Sequence, residues 1–222
     1  MKIIKPSYTI EKLDDGDEIL AFIERCGRTC YKSEDAITPD TAKGFVKMLL
    51  KRGHHSVIEH VHMTVRFICD RGVTHELVRH RLVAYSQEST RYCNYSKGQF
   101  DGGITVIKPC FWGNVHKPGT REGWVDPNTP YGMWMHTCQI AERSYLELMD
   151  EGASPQEARS VLPNSLKTEI VATANLREWR HIFTLRTAKA AHPQMREVMV
   201  PLLKEVQGRV PVLFDDIEPY EG

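Results

Sequence analysis

The amino-acid sequence predicts an α+β fold in which a mainly antiparallel sheet is flanked by helices. Val61 to Cys69 alternates apolar residues with other residues, a period typical of a strand with one buried face. Residues 42–50 instead place apolar side chains at helical spacing. Because one-sided strands interspersed with helices favour antiparallel pairing, we expect one α+β domain over residues 1–222.

Start and stop signals predict the elements of the first half of the chain. Residues 1–10 predict an opening strand, and Asp14-Asp15-Gly16 predicts a turn before the first helix. Thr38-Pro39 predicts the start of a second helix, because Thr caps helices and Pro fits the first helical position. After the strand at Val61, a short helix is expected to end around Arg79-His80-Arg81.

The second half of the chain opens on a predicted loop. Residues 108–131 carry four prolines and predict a loop or insertion within the domain. A helix from about Met133 to Glu151 follows, and Ser154-Pro155-Gln156-Glu157 predicts a capping box for a shorter helix. Leu166 to Ala174 alternates like a strand. The last predictions are a helix capped by Asn175 and a final helix from Pro193 that Pro201 kinks or divides.

The composition excludes several classes of protein. Of 222 residues, 41% are hydrophobic and 26% are charged, so the chain is neither disordered nor a coiled-coil rod. Lys+Arg and Asp+Glu both total 29, and zero net charge disfavours a protein that coats nucleic acid. No apolar run approaches the ~20 residues that cross a bilayer. Six scattered cysteines without a secretory signal favour reduced thiols in a cytoplasmic protein.

The common glycine-rich nucleotide motifs, the Rossmann fingerprint and the Walker A loop, do not occur in the sequence. If the chain binds nucleotides, side chains must hold the phosphates, and the planar fork of arginine suits phosphate oxygens. The alternative is that the arginines are solvated and paired with carboxylates on helix faces. Two groups of arginines stand out: Arg66, Arg71, Arg79, Arg81 and Arg91, and then Arg159, Arg177, Arg180 and Arg186.

The stretch from Arg79 to Tyr92 combines cations with hydroxyl and amide groups. On a helix, Arg79 and Arg81 would point ~200° apart, so they could not easily bind one small anion. They could instead serve two ligands, or one ligand and a neighbouring subunit. Ser86, Gln87 and Ser89 are poor residues for a helix interior but good loop donors to a phosphate or a heterocycle.

Four blocks of sequence resemble one protein family in the family's order. Arg79-His80-Arg81, followed after seven residues by Ser89, resembles the signature of flavin-dependent thymidylate synthases. Gly53-His54-His55-Ser56 with Glu59-His60 is similar to the family's upstream segment. The downstream blocks that resemble the family are Ala158-Arg159-Ser160-Val161-Leu162-Pro163 and the segment from Asn175-Leu176-Arg177 through Leu185-Arg186.

The resemblance implies a reaction, its cofactors and an assembly. Members of this family make dTMP from dUMP and take the methylene carbon from 5,10-methylenetetrahydrofolate. NADPH reduces an FAD, and the reduced flavin supplies the hydride. The family's active sites lie at subunit interfaces of a homotetramer, so we expect self-association. With the composition, the resemblance leads us to expect no nucleic-acid or membrane partner and no metal ion.

The resemblance also implies flavin contacts, position by position. Arg79, His80 and Arg81 are expected to contact FAD, and His54 is expected near both flavin and folate. The alternative for His54 is a capping histidine or one at the edge of the core. The other positions that match flavin contacts are Ser56, Gln87, Asn175, Arg177 and His181.

A second set of positions matches contacts to dUMP. Arg79 is expected to reach dUMP as well as flavin, and Arg159 matches a phosphate-binding arginine. Glu76 matches a position on the dUMP side at which some relatives carry glutamine, so the contact made by its carboxylate stays open. The positions expected to cradle dUMP are Gln87, Ser89 and Arg91.

Arg186 is predicted to be the central catalytic residue and to contact dUMP. Uracil N3–H is a weak acid, and a desolvated guanidinium beside it would stabilise its anion. Negative charge delocalised into the ring makes C5 more nucleophilic towards the folate methylene. Arginine stays protonated, so it acts electrostatically and not as a general base. Without the resemblance, an ordinary cation at a helix end would be the simpler interpretation.

Two other classes of function can be read from the sequence. A metal hydrolase would use the group His54, His55, Glu59, His60 and His62, although the metalloprotease helix motif is absent. A module for single-stranded nucleic acid would use cations interleaved with stacking aromatic residues, although the zero net charge disfavours it. The residues in that second interpretation are Arg79, Arg81, Tyr85, Arg91, Tyr92, Tyr95 and Lys97.

Arg186→Ala should abolish turnover, whereas Cys110→Ala should leave it largely intact. Ser89 is interpreted as a hydrogen-bond donor to dUMP, because no sequence feature supplies a base that activates its hydroxyl. Cys110 lies in the proline-rich loop without the pattern that flanks the nucleophilic cysteine of the unrelated folate-dependent synthases. Steady-state formation of dTMP by the two variants checks this assignment, and the reverse result contradicts it.

Overall fold

The computed structural model describes residues 1–112 and 125–220, and it confirms the α+β fold. Residues 113–124 of the predicted 108–131 loop lie outside the described residues. The strands are β1 (Lys2–Ile4), β2 (Ser7–Lys12), β3 (His62–Asp70), β4 (Ala84–Gln87), β5 (Thr105–Ile107) and β6 (Lys167–Asn175). The helices are α1 (Gly16–Thr29), α2 (Ala42–Lys51), α3 (Arg71–Leu77), α4 (Pro130–Asp150), α5 (Pro155–Ala158), α6 (Leu176–Arg186), α7 (Pro193–Arg209) and α8 (Pro211–Phe214).

Four strands form one sheet in the order β2-β3-β6-β4. The central strands β3 and β6 run antiparallel, because later residues of β3 lie beside earlier residues of the segment that contains β6. The Thr64 and Thr173 hydroxyls share a hydrogen bond, and Leu176 N–H donates to Val61 O. Burial along β6 alternates residue by residue, as the sequence pattern predicted.

The chain groups into two compact units. The first unit comprises Met1–Ser7, Ile68–Leu77 and Gln87–Ile170, and the second comprises Tyr8–Phe67, Val78–Ser86 and Val171–Gly222. The prediction of a single domain over residues 1–222 stays a prediction.

The first unit carries a small parallel pair of strands, β1 and β5, in which Ile3 pairs with Val106. The opening strand predicted over residues 1–10 is therefore two strands, β1 and β2. Pro6 separates them, since proline has no N–H to donate to a ladder. Behind this pair lies a buried cluster of Tyr95, Ile104, Val106, Cys138, Tyr145, Ala158 and Leu166.

Several predicted boundaries in the first half are wrong. Helix α2 begins at Ala42, because Thr38 to Thr41 form a turn in which Thr41 Oγ1 accepts from Thr38 N–H. Helix α3 ends at Leu77, so the signature run from Arg79 to Arg81 is not helical. Strand β4 was missed, and it places Ser86 and Gln87 on a strand instead of in a loop.

One predicted boundary in the second half is also wrong. Helix α4 begins at Pro130, with Thr129 Oγ1 accepting from Gly132 N–H, so the loop ends before residue 131. Helix α7 runs through Pro201 and is not divided there, and the predicted alternative of a kink at Pro201 stays a prediction. The predicted capping box is confirmed, since Ser154 N–H donates to the Glu157 carboxylate at 2.8 Å.

The core of the second unit is built around helix α6. Trp179 is fully buried and packs against Phe67 and Phe183. Its indole Nε1–H donates to Met63 O at 2.9 Å, which ties α6 to strand β3. Within the part of the chain that the structure describes, no helix is long and apolar enough to span a bilayer.

Trp179→Phe should lower the free energy of unfolding by about 1–3 kcal/mol, because it opens a cavity and removes the donor to Met63 O. Urea denaturation measures this loss. The control is Trp134→Phe, since Trp134 is half-buried and donates to Ser165 Oγ at 2.9 Å. The control should cost less, and equal losses would contradict the packing role of Trp179.

Candidate active site

The signature residues lie in the turn between α3 and β4, and their side chains alternate in exposure. Arg79 and Arg81 are exposed, whereas His80 between them is only 5% exposed. The run from Arg79 to Arg81 is not helical, so the separation of ~200° predicted for the two arginines on a helix does not apply. The turn presents two cations at the surface and turns the intervening imidazole inward.

The buried imidazole of His80 lies between two residues of helix α6. Arg186 Nε–H donates to His80 Nε2 at 2.9 Å, across 106 positions of sequence. On the other side of the ring, His80 Nδ1 lies 3.3 Å from Glu178 Oε1. His181 places its ring edge-on to His80 with centroids 5.7 Å apart. The structure therefore joins three predicted site residues to Glu178, which the sequence analysis did not select.

The surroundings favour neutral His80. Burial, then the Arg186 guanidinium, then His181 lower the pKa of His80 to about 4. Burial raises the pKa of Glu178, which is 8% exposed. The Tyr85 hydroxyl donates to His80 O at 3.4 Å, and burial followed by the nearby Glu178 raises the pKa of Tyr85. At neutral pH His80 is therefore an uncharged imidazole within a charged cluster.

One group of side chains in the described ranges has metal-ligating geometry: His80, Glu178 and His181, whose ligand atoms lie within 4.8 Å of one another. The metal hydrolase interpretation required a different group, at His54 to His62. Those residues do not form such a cluster within the described parts of the chain. His62 faces outward at the start of β3.

A cavity of about 340 Å³ in the second unit brings together three predicted flavin residues, His54, Ser56 and Arg177. The His54 imidazole Nδ1 lies 3.2 Å from the Tyr31 hydroxyl. The Arg177 guanidinium pairs with Glu59 at 2.6 Å. A hydroxyl, an imidazole and a cation lining one cavity are suitable donors for an anionic cofactor.

Asn175 ends strand β6 and caps helix α6, as predicted. Its Oδ1 accepts from Glu178 N–H at 2.8 Å. The cap sets the first turn of α6, so the side chain predicted to contact flavin also positions Glu178.

The first unit contains a second cavity, of about 470 Å³, that includes Arg159. Arg71, Thr90 and Ser160 also line it. Arg71 Nη1 is buried and has no hydrogen-bond partner among the described residues. A buried guanidinium nitrogen without an acceptor is costly, so this cavity has the character of an anion site. The arginine-rich stretch contained Arg71, but no motif position distinguished it.

Gln87, Ser89 and Arg91 also belong to the first unit. The Gln87 amide donates to Thr74 Oγ1 at 3.0 Å and to Thr168 Oγ1 at 3.3 Å, which fixes its orientation. Ser89 Oγ accepts from Arg91 N–H at 3.3 Å. Arg91 itself is exposed and lies over the Tyr92 ring.

Two further residues considered from the sequence are Glu76 and Cys110. Glu76 is half-buried on α3, and its contact with dUMP stays a prediction. Cys110 is an exposed cysteine beyond β5. The site residues divide between the units, with Glu76, Gln87, Ser89, Arg91 and Arg159 in the first unit and the others in the second.

Glu178 is the functional candidate that the sequence could have supplied. Residues three positions apart share a helix face, and positions eight apart lie within about 80° of each other around the axis. Glu178, His181 and Arg186 therefore lie on neighbouring parts of the surface of α6. That spacing alone does not reveal His80 as their common neighbour.

Comparisons with known proteins identify the family. A family model described as thymidylate synthase complementing protein matches residues 11–212. The flavin-dependent thymidylate synthase of Geobacter sulfurreducens is 31% identical over 206 residues, covering 90% of this chain and 82% of the relative. The enzyme of the same description from Corynebacterium glutamicum is 30% identical over 232 residues, covering 96% and 85%.

A solved structure shares the fold. The UMP/dUMP methylase PolB from Streptomyces cacaoi, bound with 5-Br dUMP, has a TM-score of 0.73 and 23% identity, covering 97% of this chain and 96% of that one. The family match spans most of the described chain, and the predicted site residues lie within it. The chain therefore belongs to the thymidylate synthase complementing protein family, the flavin-dependent thymidylate synthases.

Proposed function

We propose that the chain methylates dUMP to dTMP, with 5,10-methylenetetrahydrofolate as carbon donor, FAD as cofactor and NADPH as reductant. The observation that carries this proposal is the half-buried guanidinium of Arg186, held at Nε by neutral His80 at the end of α6. A guanidinium fixed in this way is suited to stabilise an anion that develops on a bound ring.

The residues proposed to contact flavin all belong to the second unit except Gln87, which belongs to the first. The cavity lined by His54, Ser56 and Arg177 offers hydrogen-bond donors and a cation, which suit the diphosphate of FAD. Arg79 and Arg81 add two exposed guanidinium groups. When bound, the reduced flavin supplies the hydride that completes the methyl group. The remaining residues proposed to contact flavin are His80, Asn175 and His181.

The dUMP phosphate is proposed to bind in the cavity of Arg159, where Arg71 provides a second guanidinium. Two guanidinium groups could grip a phosphate with charge-assisted hydrogen bonds. Ser89 is proposed to act as a hydrogen-bonding group towards dUMP and not as a nucleophile, because its hydroxyl accepts from Arg91 N–H and no activating base is bonded to it among the described residues. The other proposed dUMP contacts are Glu76, Arg79, Gln87, Arg91 and Arg186.

Arg186 is proposed to work on the uracil ring. Its guanidinium would stabilise electrostatically the anion that forms when the N3 proton passes to solvent, which increases electron density at C5. C5 would then bond to the methylene carbon as that carbon leaves the folate nitrogen, so no protein nucleophile is required. His80 does not take up the N3 proton of uracil at neutral pH, because its pKa is about 4. It stays neutral, and its Nε2 accepts the hydrogen bond from Arg186 Nε–H.

Assembly as a cytoplasmic homotetramer is part of the proposal. Leu82, next to Arg81, is 75% exposed, and Tyr92, next to Arg91, is 78% exposed. Large apolar side chains beside binding residues are typical of surfaces that a partner covers. A second subunit would then enclose the exposed arginines of the signature.

The purified protein should retain a flavin absorption band after addition of FAD and desalting. Titration with dUMP should shift that band, because Arg79 and Gln87 are each proposed to contact both ligands. Visible spectroscopy measures the shift, followed by assay of NADPH-dependent dTMP formation. A folded protein that retains no flavin would contradict the proposed cofactor.

Arg71→Met should weaken dUMP binding roughly 10- to 100-fold, the effect of one lost hydrogen bond to a charged group. The loss should be confined to the phosphate, so deoxyuridine should bind the variant as it binds the wild type. Isothermal titration with both ligands measures the ratio. Thermal unfolding should show little loss of stability, because Arg71 Nη1 is buried without an acceptor among the described residues and its removal relieves that cost.

The matched control for Arg71 is Arg25→Met, since Arg25 is an exposed arginine on α1 that stacks over Phe22. Arg25→Met should bind dUMP as the wild type does. Arg159→Met should resemble Arg71→Met. Equal weakening of dUMP and deoxyuridine binding by Arg71→Met would contradict a phosphate contact.

A further inference from the structure

The three groups Glu178, His80 and Arg186 form a continuous chain through the interior of the second unit. Glu178 Oε1 lies 3.3 Å from His80 Nδ1, and His80 Nε2 accepts from Arg186 Nε–H at 2.9 Å. His80 is 5% exposed and Glu178 is 8% exposed, so water does not replace either contact easily. The chain ends at the guanidinium that we propose acts on uracil.

Hydrogen-bond chemistry allows one protonation state of His80 in this chain. Arg186 Nε carries a hydrogen at all accessible pH values, so His80 Nε2 must offer a lone pair. A His80 protonated at Nε2 would bring two N–H donors face to face. The imidazole must therefore be neutral, with its single proton on Nδ1, and that proton points towards the Glu178 carboxylate.

We infer that Glu178 is a positioning residue for Arg186: its carboxylate accepts the His80 Nδ1–H, holds the tautomer whose Nε2 accepts from Arg186 Nε–H, and thereby orients the guanidinium. This inference rests on the proposed role of Arg186 in dTMP formation. A carboxylate that fixes a histidine tautomer through the second ring nitrogen is a general device in protein sites. Here the group that the histidine orients is an arginine.

Helix α6 provides a rigid frame for this arrangement. Asn175 caps the helix and fixes Glu178 through its N–H, whereas Arg186 is the last residue of the helix. His80 comes from a distant turn and bridges the two. Since both ends of the bridge belong to one helix, movement of the His80 ring is opposed on both sides.

Two neighbours support neutral His80 without replacing Glu178. His181 packs edge-on to the ring, and the charge of Arg186 disfavours a second cation on His80. Tyr85 donates to His80 O and approaches Glu178. The side chains of His80, Glu178 and His181 could together hold a metal ion. Because His80 Nε2 accepts from Arg186 Nε–H, such an ion would bind His80 at Nδ1 in place of the proton.

The test is the tautomer of His80 in the flavin-loaded protein, measured by ¹⁵N NMR with labelled histidine. His80→Gln identifies the signal among the ten histidines of the chain. The wild type should show protonated Nδ1 and unprotonated Nε2. Glu178→Ala should shift His80 to the other tautomer or to a mixture, while Glu178→Gln, which keeps an acceptor oxygen, should preserve the wild-type state.

Turnover supplies the second measurement. Glu178→Ala should lower kcat roughly 10- to 100-fold, the effect of a small misplacement of a catalytic group, with KM for dUMP changed less than about threefold. Glu178→Gln should recover most of the lost kcat. Glu18→Ala is the matched control, because Glu18 is an exposed carboxylate in the first turn of α1 with no histidine contact among the described residues. It should leave both the spectrum and kcat unchanged.

The outcomes separate this inference from the proposed function. If Glu178→Ala retains the Nδ1–H tautomer, or if Glu178→Gln loses both tautomer and turnover, the inference is overturned. Stoichiometric zinc in the wild type that disappears in Glu178→Ala would also overturn it in favour of a metal site. A wild type that forms no dTMP but shows the expected tautomers would contradict the proposed function alone.

Discussion

The buried imidazole of His80, bonded on one side to Arg186 and facing Glu178 on the other, is the contact on which the candidate site depends. An imidazole can accept at one nitrogen while donating at the other only when it is neutral. Burial beside a guanidinium keeps His80 neutral by lowering its pKa to about 4. The same burial that organises the core therefore determines the protonation state in which His80 accepts from Arg186 Nε–H.

Helix α6 connects the fold to this site. Its apolar face buries Trp179, which packs on Phe67 and donates to Met63 O of strand β3. Its polar side carries Glu178 and Arg186. Because the two sets share one helix, packing in the core fixes the depth at which the charged groups lie, and those groups stay partly desolvated. Partial desolvation is what makes an electrostatic role for Arg186 effective.

The two units carry different kinds of chemistry. The second unit holds the histidine-centred cluster and a cavity whose donors suit an anionic cofactor. The first unit holds a cavity with two arginines, and one guanidinium nitrogen of Arg71 is buried without a protein acceptor in the described chain. In both units the groups proposed to bind anions are arginine side chains and not a glycine-rich loop. Zero net charge is compatible with this proposal, because the arginines concerned are concentrated at the two cavities.

The sequence by itself determined the type of most elements, the capping box at Ser154, the cap at Asn175 and the family. Alternation and helical spacing report which face of an element is buried, and these signals act over a few residues. Only the tertiary structure decided that His80 turns inward between exposed Arg79 and Arg81, and that it meets Glu178 and Arg186 of a distant helix. It also decided that Arg71 shares a cavity with Arg159. Periodicity does not specify which buried faces meet, because partners far apart in sequence are selected by packing and by the need to satisfy buried polar groups.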